Sequence, residues 1–158
     1  KTEHGSFEVH SYKDSISGST HLAFTKGEIS VDKDLLVRVH IPNTLRDVCE
    51  VHNVERTSWS FSSALKKISE EGAGVAVLLS GKDYGRDLEQ DLALATGNEL
   101  IHASRPGHDL TIGTGSQILR DLGVGKMRLL SYPAKFNAVT GFDLEVVDFV
   151  QFDKGDES

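Results

Sequence analysis

The sequence predicts one α/β domain of the α+β kind, in which helices pack on a mixed β-sheet whose N-terminal strands are antiparallel. In the first third of the chain, short runs of β-branched or alternating apolar residues are separated by turn-forming residues, which is typical of strands. The second half instead combines apolar residues at helical spacing with continuous apolar runs of strand length. Helices that alternate with buried strands favour a layered α/β arrangement, so the complete sheet is expected to be mixed.

Three runs in the first third are predicted strands, and they cover residues 6–12, 20–26 and 35–41. Residues 15–19 and Gly27 supply turn-forming positions between these strands. Because the connections are short, we expect the three strands to form an antiparallel meander or a small barrel-like sheet.

The next segment predicts an amphipathic helix followed by a buried strand. Apolar residues recur there at the spacing of one helix face, namely Phe61, Ala64, Leu65 and Ile68. Thr57 or Ser58 is expected to cap the start of this helix, and Gly72 is expected to end it in a left-handed conformation. Residues 75–79 are continuously apolar, so they predict a strand buried on both faces of the sheet.

The remaining elements follow from the same rules. Residues 86–96 have a weaker helical pattern, and residues 104–115 are expected to form a polar, Gly-rich loop. A short helix then ends at Gly123, and strands are predicted over 127–131 and 144–150. The residues expected to face inward from the short helix are Ile118, Leu119 and Leu122.

The composition excludes several classes of function. The 158 residues fit one domain over 1–150, with a short acidic tail at 151–158. The formal net charge of -7 gives no attraction to phosphate backbones, so no nucleic-acid partner is expected. No apolar run approaches the roughly 20 residues that cross a bilayer, so no membrane partner is expected either. The single cysteine, Cys49, excludes an internal disulfide and is compatible with a cytoplasmic location.

Residues 38–59 have the composition of a metal site, because they hold one cysteine, two histidines and several acids. Cys49 and His52, together with His40, would be acceptable ligands of a replacement site. The alternative is that Cys49 is a small apolar residue and the histidines are solvated or hydrogen-bonded. The presence of only one thiolate favours this alternative.

Other groups also have both a functional and a structural interpretation. Lys82 with Arg86 either binds an anion or belongs to a solvated charged loop, and residues 113–115 either cradle a phosphate before a helix or form a plain turn and cap. Trp59 is interpreted as a core or interface residue. A further group either forms an acid/base pair or belongs to an exposed loop, and it consists of His102, Arg105, His108 and Asp109.

Several runs of the sequence resemble the GTP cyclohydrolase II family, which opens riboflavin synthesis by breaking the imidazole ring of GTP. The most distinctive runs are SQILRDLGVGKMRLLSYPAK (116–135) and GFDLEVVDFV (141–150). Three further runs also resemble sequences of the family, namely HLAFTKGEI (21–29), LLVRVH (35–40) and SSALKKISEEGAGVAVLL (62–79). The resemblance therefore implies a GTP cyclohydrolase II-like fold over nearly the whole chain.

The resemblance also implies where the family's zinc ligands should lie, and this sequence departs from them. In the family, three cysteines follow the strand that matches residues 35–40. The first of these positions is Asn43 here, the other two fall within residues 51–55, and Cys49 matches none of them. An amide oxygen is a poor ligand for zinc, so we expect zinc to be absent from this domain.

The family's other functional positions are altered as well. Its substrate loop corresponds to residues 82–89, where acidic residues replace two glycines, and its catalytic aspartate and arginine correspond to Pro106 and His108. Proline offers neither an acid nor a base, so no catalytic residue is expected. A remnant pocket for a nucleotide or phosphate is implied at the matching positions Lys82, Arg86, His108, Ser131 and Lys135.

These departures favour a catalytically inactive accessory or regulatory domain of a riboflavin-biosynthesis protein. Because the chain begins at Lys1, the missing N-terminal part is expected to be a fused 3,4-dihydroxy-2-butanone 4-phosphate synthase. That lyase uses magnesium to convert ribulose 5-phosphate to dihydroxybutanone phosphate and formate, and the resemblance favours a homodimer. Two alternatives stay open: a module that senses a nucleotide or metabolite in the remnant pocket, and a residual or altered hydrolase that uses His108 and Asp109.

Overall fold

The structure is a computed structural model that describes residues 1–51, 59–80, 88, 92, 96, 108–133 and 142–153, with the backbone alone over 108–112. In these ranges the strands are β1 (Glu8–Lys13), β2 (Thr20–Lys26), β3 (Asp34–His40), β4 (Gly74–Leu78), β5 (Lys126–Leu130) and β6 (Glu145–Val150). The helices with assigned bounds are α1 (Thr44–Asp47), α2 (Phe61–Glu71) and α3 (His108–Asp121). Every strand predicted from the sequence is confirmed. The predicted helices at 61–71 and around 118–122 are confirmed as well.

The six strands form one mixed sheet in the order β1-β2-β4-β3-β5-β6. β1 pairs antiparallel with β2 and β2 antiparallel with β4, whereas the pairs β3–β4, β3–β5 and β5–β6 are parallel. The mixed α+β sheet is therefore confirmed, but the meander of the first three strands is wrong. β4 lies between β2 and β3 because its apolar residues must be buried on both faces, which requires a central position.

The parallel pairing of β3 with β4 requires a crossover connection, and α2 lies within that connection. α2 begins after Ser60, whose side-chain oxygen accepts a hydrogen bond from Ser63 N at 3.0 Å. The cap is therefore Ser60, which corrects the predicted Thr57 or Ser58, and these two lie outside the described residues. Gly72 ends the helix in the left-handed conformation at φ 88°, as predicted.

α3 begins at His108, which corrects the prediction of a Gly-rich loop over residues 104–115. Residues 113–115 lie inside the helix, so they are not a phosphate cradle before its first turn. A Cβ atom on Gly115 would approach Val39 Cγ1 to 2.9 Å. The absence of a side chain at Gly115 therefore allows the helix to pack closely on β3. Glycine usually indicates a loop in a sequence, but here it permits a close contact between a helix and a strand.

Two hydrophobic clusters lie on the two faces of the sheet. The α3 face includes Val37, Val75 and Met127, and the α2 face is built from residues that include Leu36, Ile68 and Ala76. Successive residues of β3 and β4 thus contribute to opposite faces, as the alternation of side chains along a strand requires. The inward positions predicted on α3 are confirmed, since Ile118 and Leu119 are buried and Leu122 packs against the same cluster.

Phe152, in the segment that the sequence assigns to the tail, is 8% exposed. Its ring makes an edge contact with Trp59 at 5.0 Å between centroids, so the chain after β6 closes the α2 face. Trp59 is itself 1% exposed, which agrees with its interpretation as a core residue. Among the residues that the structure describes, no helix has both the length and the apolar character needed to span a bilayer.

Candidate functional site

Four polar side chains gather where β3 ends and α1 begins. Arg38 and His40 come from β3, two residues apart and therefore on the same face of the strand. Arg46 and Asp47 come from α1. We refer to these four residues as the β3–α1 cluster.

The short helix α1 brings Asp47 back over the end of β3. Asn43 caps α1 by accepting a hydrogen bond from Arg46 N at 2.9 Å, which turns the chain immediately after the strand. Asp47 Oδ2 then lies 2.7 Å from His40 Nε2. Asn43, the residue that the resemblance places at the first zinc-cysteine position, thus uses its amide oxygen in the helix cap.

The Asp47 carboxylate collects donors from three parts of the chain. Besides His40, it accepts hydrogen bonds from Asn43 N at 2.8 Å, from Arg46 Nε at 3.2 Å and from Phe61 N at 3.2 Å. Phe61 is the first residue of α2. One carboxylate therefore connects the end of β3, the start of α1 and the start of α2.

The Arg38 guanidinium makes a second set of connections from the same cluster. Its Nη1 donates to Leu130 O at 2.7 Å and its Nη2 to Trp59 O at 3.0 Å. Its Nε donates to His40 Nδ1 at 3.3 Å. Arg38 thereby links the ends of β3 and β5 to the segment that leads into α2.

Burial and charge set the protonation state of the cluster. Burial lowers the pKa of His40 to about 4, and the positive charges of Arg38 and Arg46 act in the same direction, against the opposing effect of Asp47. Burial also lowers the pKa of Arg38 to about 10, assisted by the charge of Arg46. Burial opposes ionisation of Asp47, but the hydrogen bonds from His40 and Arg46 hold the pKa of its carboxyl well below the usual range. At neutral pH the imidazole is therefore neutral and the carboxylate charged.

These contacts fix the role of His40. Because Arg38 donates to Nδ1, the proton of the neutral imidazole lies on Nε2 and is donated to Asp47. Arg46 Nη2 lies 3.3 Å from Nε2, but it has its own acceptor in Ile41 O at 3.1 Å. Both imidazole nitrogens are thus engaged within the protein, so His40 is a positioning residue in this arrangement and not a general base.

The cluster lies beside a cavity of about 530 Å³, a volume typical of small-molecule sites. His40 and Asp47 line it, and His4 Nε2 lies 2.8 Å from Ser62 Oγ at another part of the wall. Apolar residues complete the lining, among them Phe61, Leu65 and Leu78. The cavity combines an apolar wall with a few converging polar groups.

The metal candidates of the sequence are not brought together in the part of the chain that the structure describes. Cys49 is an exposed free thiol, His40 is engaged with Asp47, and His52 lies outside the described residues. Among the described residues, no three His, Cys, Asp or Glu side chains are grouped so as to hold a metal ion. The described residues therefore do not supply the three protein ligands of a zinc site, and the absence of zinc stays a prediction.

The remnant pocket predicted from the resemblance is described at one position only. Ser131 is half-buried after β5, and its backbone N donates to Val150 O at 3.1 Å. His108 is the first residue of α3, but its side chain is not described. Three further pocket residues lie outside the described ranges, namely Lys82, Arg86 and Lys135. The pocket stays a prediction, as does the acid/base pair of His102 and His108.

Sequence reasoning found His40 as a candidate but missed its three partners, Arg38, Arg46 and Asp47. The available signal was Asn43 followed by Asp47 directly after a strand that ends in two polar residues on one face. An N-cap residue there predicts a helical turn, and such a turn returns the carboxylate towards the strand end.

Comparison with known proteins identifies the family to which the chain belongs. A family model for GTP cyclohydrolase II matches residues 1–151. The chain belongs to the GTP cyclohydrolase II family. Family membership is consistent with the mixed sheet, and the resemblance found in the sequence is confirmed at this level.

Several relatives are similar to the chain over nearly all of its length. The chain is 45% identical over 94% of its length to a 3,4-dihydroxy-2-butanone 4-phosphate synthase of Pseudomonas aeruginosa, and 38% identical over 98% of its length to a synthase of the same name from Neisseria meningitidis. It is also 34% identical over 94% of its length to the riboflavin biosynthesis protein RibBA of Aquifex aeolicus. The chain spans about 40% of the length of these relatives.

These relatives overturn one expectation from the sequence. The chain was expected to be an inactive accessory domain beside a separate, missing synthase part. Proteins that bear the synthase name are instead similar to the chain itself, along 94% of its residues in the Pseudomonas aeruginosa relative. The synthase name thus belongs to proteins that include a region similar to the whole of this chain, so the expectation of an accessory domain beside a separate synthase part is wrong.

Proposed function

We propose that this chain is an integral part of a riboflavin-biosynthesis protein that makes 3,4-dihydroxy-2-butanone 4-phosphate. The observation that carries the proposal is the 45% identity to a synthase of that name along 94% of the chain. The resemblance supplies the reaction, in which ribulose 5-phosphate is converted to dihydroxybutanone phosphate and formate. The proposed protein is a cytoplasmic homodimer.

The structure supports a positioning role for the β3–α1 cluster within this function. Its hydrogen bonds connect the carboxyl ends of two parallel strands with the start of α2. Ligands of open α/β sheets commonly bind beyond the carboxyl ends of the strands, which is where the cavity of about 530 Å³ lies. The cluster thus maintains the edge of the sheet at which a small phosphorylated sugar would be accommodated.

A domain exchange tests the proposal. The region of the Pseudomonas aeruginosa synthase that matches this chain is replaced by the chain, and the hybrid is expressed in a strain that requires riboflavin because it lacks the synthase. The hybrid is expected to restore growth without riboflavin and to form dihydroxybutanone phosphate from ribulose 5-phosphate in vitro. The matched control is the same synthase with the region deleted, which is expected to lose most of its activity.

Two outcomes would overturn the proposal. A folded hybrid that forms no product would show that the chain does not serve the synthase reaction, and a deletion variant as active as the hybrid would show that the domain contributes nothing to it. Magnesium belongs to the same proposal through the resemblance. Removal of the metal with EDTA is expected to abolish product formation by the hybrid, and added magnesium is expected to restore it.

A further inference from the structure

We propose that the β3–α1 cluster is an acid-sensitive clamp, which is released when Nδ1 of His40 takes up a proton. Release would free α1 and the segment at Trp59 from the end of the sheet and change the wall of the adjacent cavity. This inference goes beyond the proposed function and does not depend on it.

The first step rests on the hydrogen-bond directions around His40. Nε2 already donates to Asp47, so an added proton must go to Nδ1, which faces the Nε–H group of Arg38 at 3.3 Å. Protonation therefore replaces a donor–acceptor contact with two facing N–H groups. It also places an imidazolium ion beside a buried guanidinium, and the two positive charges repel each other.

The second step concerns what Arg38 holds in place. Its two Nη atoms donate to Leu130 O and to Trp59 O, so displacement of the guanidinium breaks the link between β5 and the segment before α2. The Trp59 side chain has a separate anchor, because its Nε1 donates to Val150 O at 2.8 Å. The change is thus expected to be local, with the central sheet retained.

The charged groups around His40 favour release in acid. β3 contributes Arg38 and α1 contributes Arg46 and Asp47, while Glu3 and His4 of the N-terminal segment line the same cavity. α2 and β4 present uncharged residues there, among them Phe61, whose ring centroid lies 5.4 Å from that of His40. Within the described residues, the imidazolium thus meets two cations and only one carboxylate in direct contact.

The direction with pH follows from the buried state of His40. Its pKa is lowered from 6.5 to about 4 in the folded protein, chiefly by burial. Between these values the released state binds a proton that the clamped state excludes. The clamp is therefore fully stabilised above pH 6.5, and its stability is lost as the pH falls from 6.5 towards 4.

The single tryptophan of the chain provides the measurement. Trp59 is 1% exposed and its carbonyl group is bound by Arg38, so loss of that bond moves the Trp59 backbone and changes the surroundings of the indole, even while Nε1 keeps its bond to Val150 O. The chain is titrated from neutral pH to about pH 4 while tryptophan emission and far-ultraviolet circular dichroism are recorded. Emission is expected to shift to longer wavelength in this window while the ellipticity of helices and sheet is retained.

Two histidine variants test the assignment. The side-chain amide of His40→Gln can still donate to Asp47 but takes up no proton, so the emission shift is expected to disappear. His21→Gln is the matched control, because His21 is also buried and its Nδ1 also accepts a hydrogen bond, from Ser80 N at 3.1 Å. In this control the emission shift is expected to stay as in the unchanged chain.

Either of two results would overturn the clamp. One is an unchanged emission shift in His40→Gln, and the other is an emission change that coincides with loss of ellipticity in the unchanged chain. If His40→Gln does not fold, the imidazole signals of the unchanged chain are titrated by nuclear magnetic resonance. Protonation of His40 in step with the emission change supports the clamp, and an emission change that precedes it contradicts the clamp.

Discussion

The carboxylate of Asp47 accepts hydrogen bonds from one imidazole, one guanidinium and two backbone N–H groups, although only 15% of its side chain is exposed. A buried carboxylate is costly unless its oxygens are fully hydrogen-bonded, and these donors meet that requirement. Its charge also compensates the two arginines of the β3–α1 cluster. At the residue scale, Asp47 is therefore the group on which the local arrangement depends.

Asp47→Asn is expected to lower the free energy of unfolding by roughly 1.5–3 kcal/mol, the usual contribution of hydrogen bonds to a charged group. The substitution keeps the size of the side chain but leaves two guanidinium groups without their carboxylate. Urea unfolding at pH 7 measures the change. The control is Asp32→Asn at an exposed position between β2 and β3, which is expected to stay within about 0.5 kcal/mol of the unchanged chain. A loss below about 1 kcal/mol in Asp47→Asn would contradict the role given to this carboxylate.

At the element scale, the turn after β2 packs against the end of α2 through two glycines. Gly27 and Gly72 both have left-handed backbones, with φ of 69° and 88°. A Cβ atom on Gly27 would overlap the carbonyl oxygen of Gly72, whereas a Cβ atom on Gly72 would meet nothing within 4 Å. A substitution at Gly72 thus adds backbone strain alone, whereas a substitution at Gly27 adds backbone strain and a steric overlap.

Gly72→Ala is expected to cost about 1–2 kcal/mol, because alanine is disfavoured in the left-handed conformation. Gly27→Ala is expected to cost the same plus about 1–3 kcal/mol, because the overlapping backbone must move. Thermal and urea unfolding of the two variants measure this difference. Equal losses would show that the turn and the end of α2 are not in the close contact described.

The elements themselves were predictable where their pattern is local. Alternating or continuous apolar runs predicted the strands, and helical spacing with Gly72 predicted α2. α3 was predicted too short because Gly113 and Gly115 favour a loop in sequence. Gly115 is favoured in the helix because it packs closely against Val39 of β3, and β3 is distant from it in sequence.

At the scale of the whole molecule, the central strands β3 and β4 contribute side chains to both hydrophobic clusters. If the packing on one face of the sheet were lost, β3 and β4 would become exposed on that face, although their other side chains belong to the cluster on the opposite face. The sheet therefore couples the α2 face to the α3 face, and at neutral pH we expect them to unfold as one unit.

The single tryptophan and the single methionine allow this coupling to be measured, since Trp59 lies in the α2-face cluster and Met127 in the α3-face cluster. In urea at pH 7, Trp59 fluorescence and the methyl signal of isotopically labelled Met127 are expected to give the same midpoint. Two separate midpoints would show that the faces unfold independently. Coincidence at pH 7 would also provide the reference for the local change expected in acid.

The sequence by itself determined the family, the mixed sheet, the strands and the apolar face of α2, because these depend on residue type and spacing along the chain. It did not determine that β4 lies between β2 and β3, since strand order depends on which strand gains most from burial on both faces. Only the tertiary structure decided that His40 is a neutral, buried partner of Asp47 and Arg38. The protonation and role of such a group depend on contacts between residues up to 92 positions apart, as in the bond from Arg38 to Leu130, and spacing in the sequence does not record them.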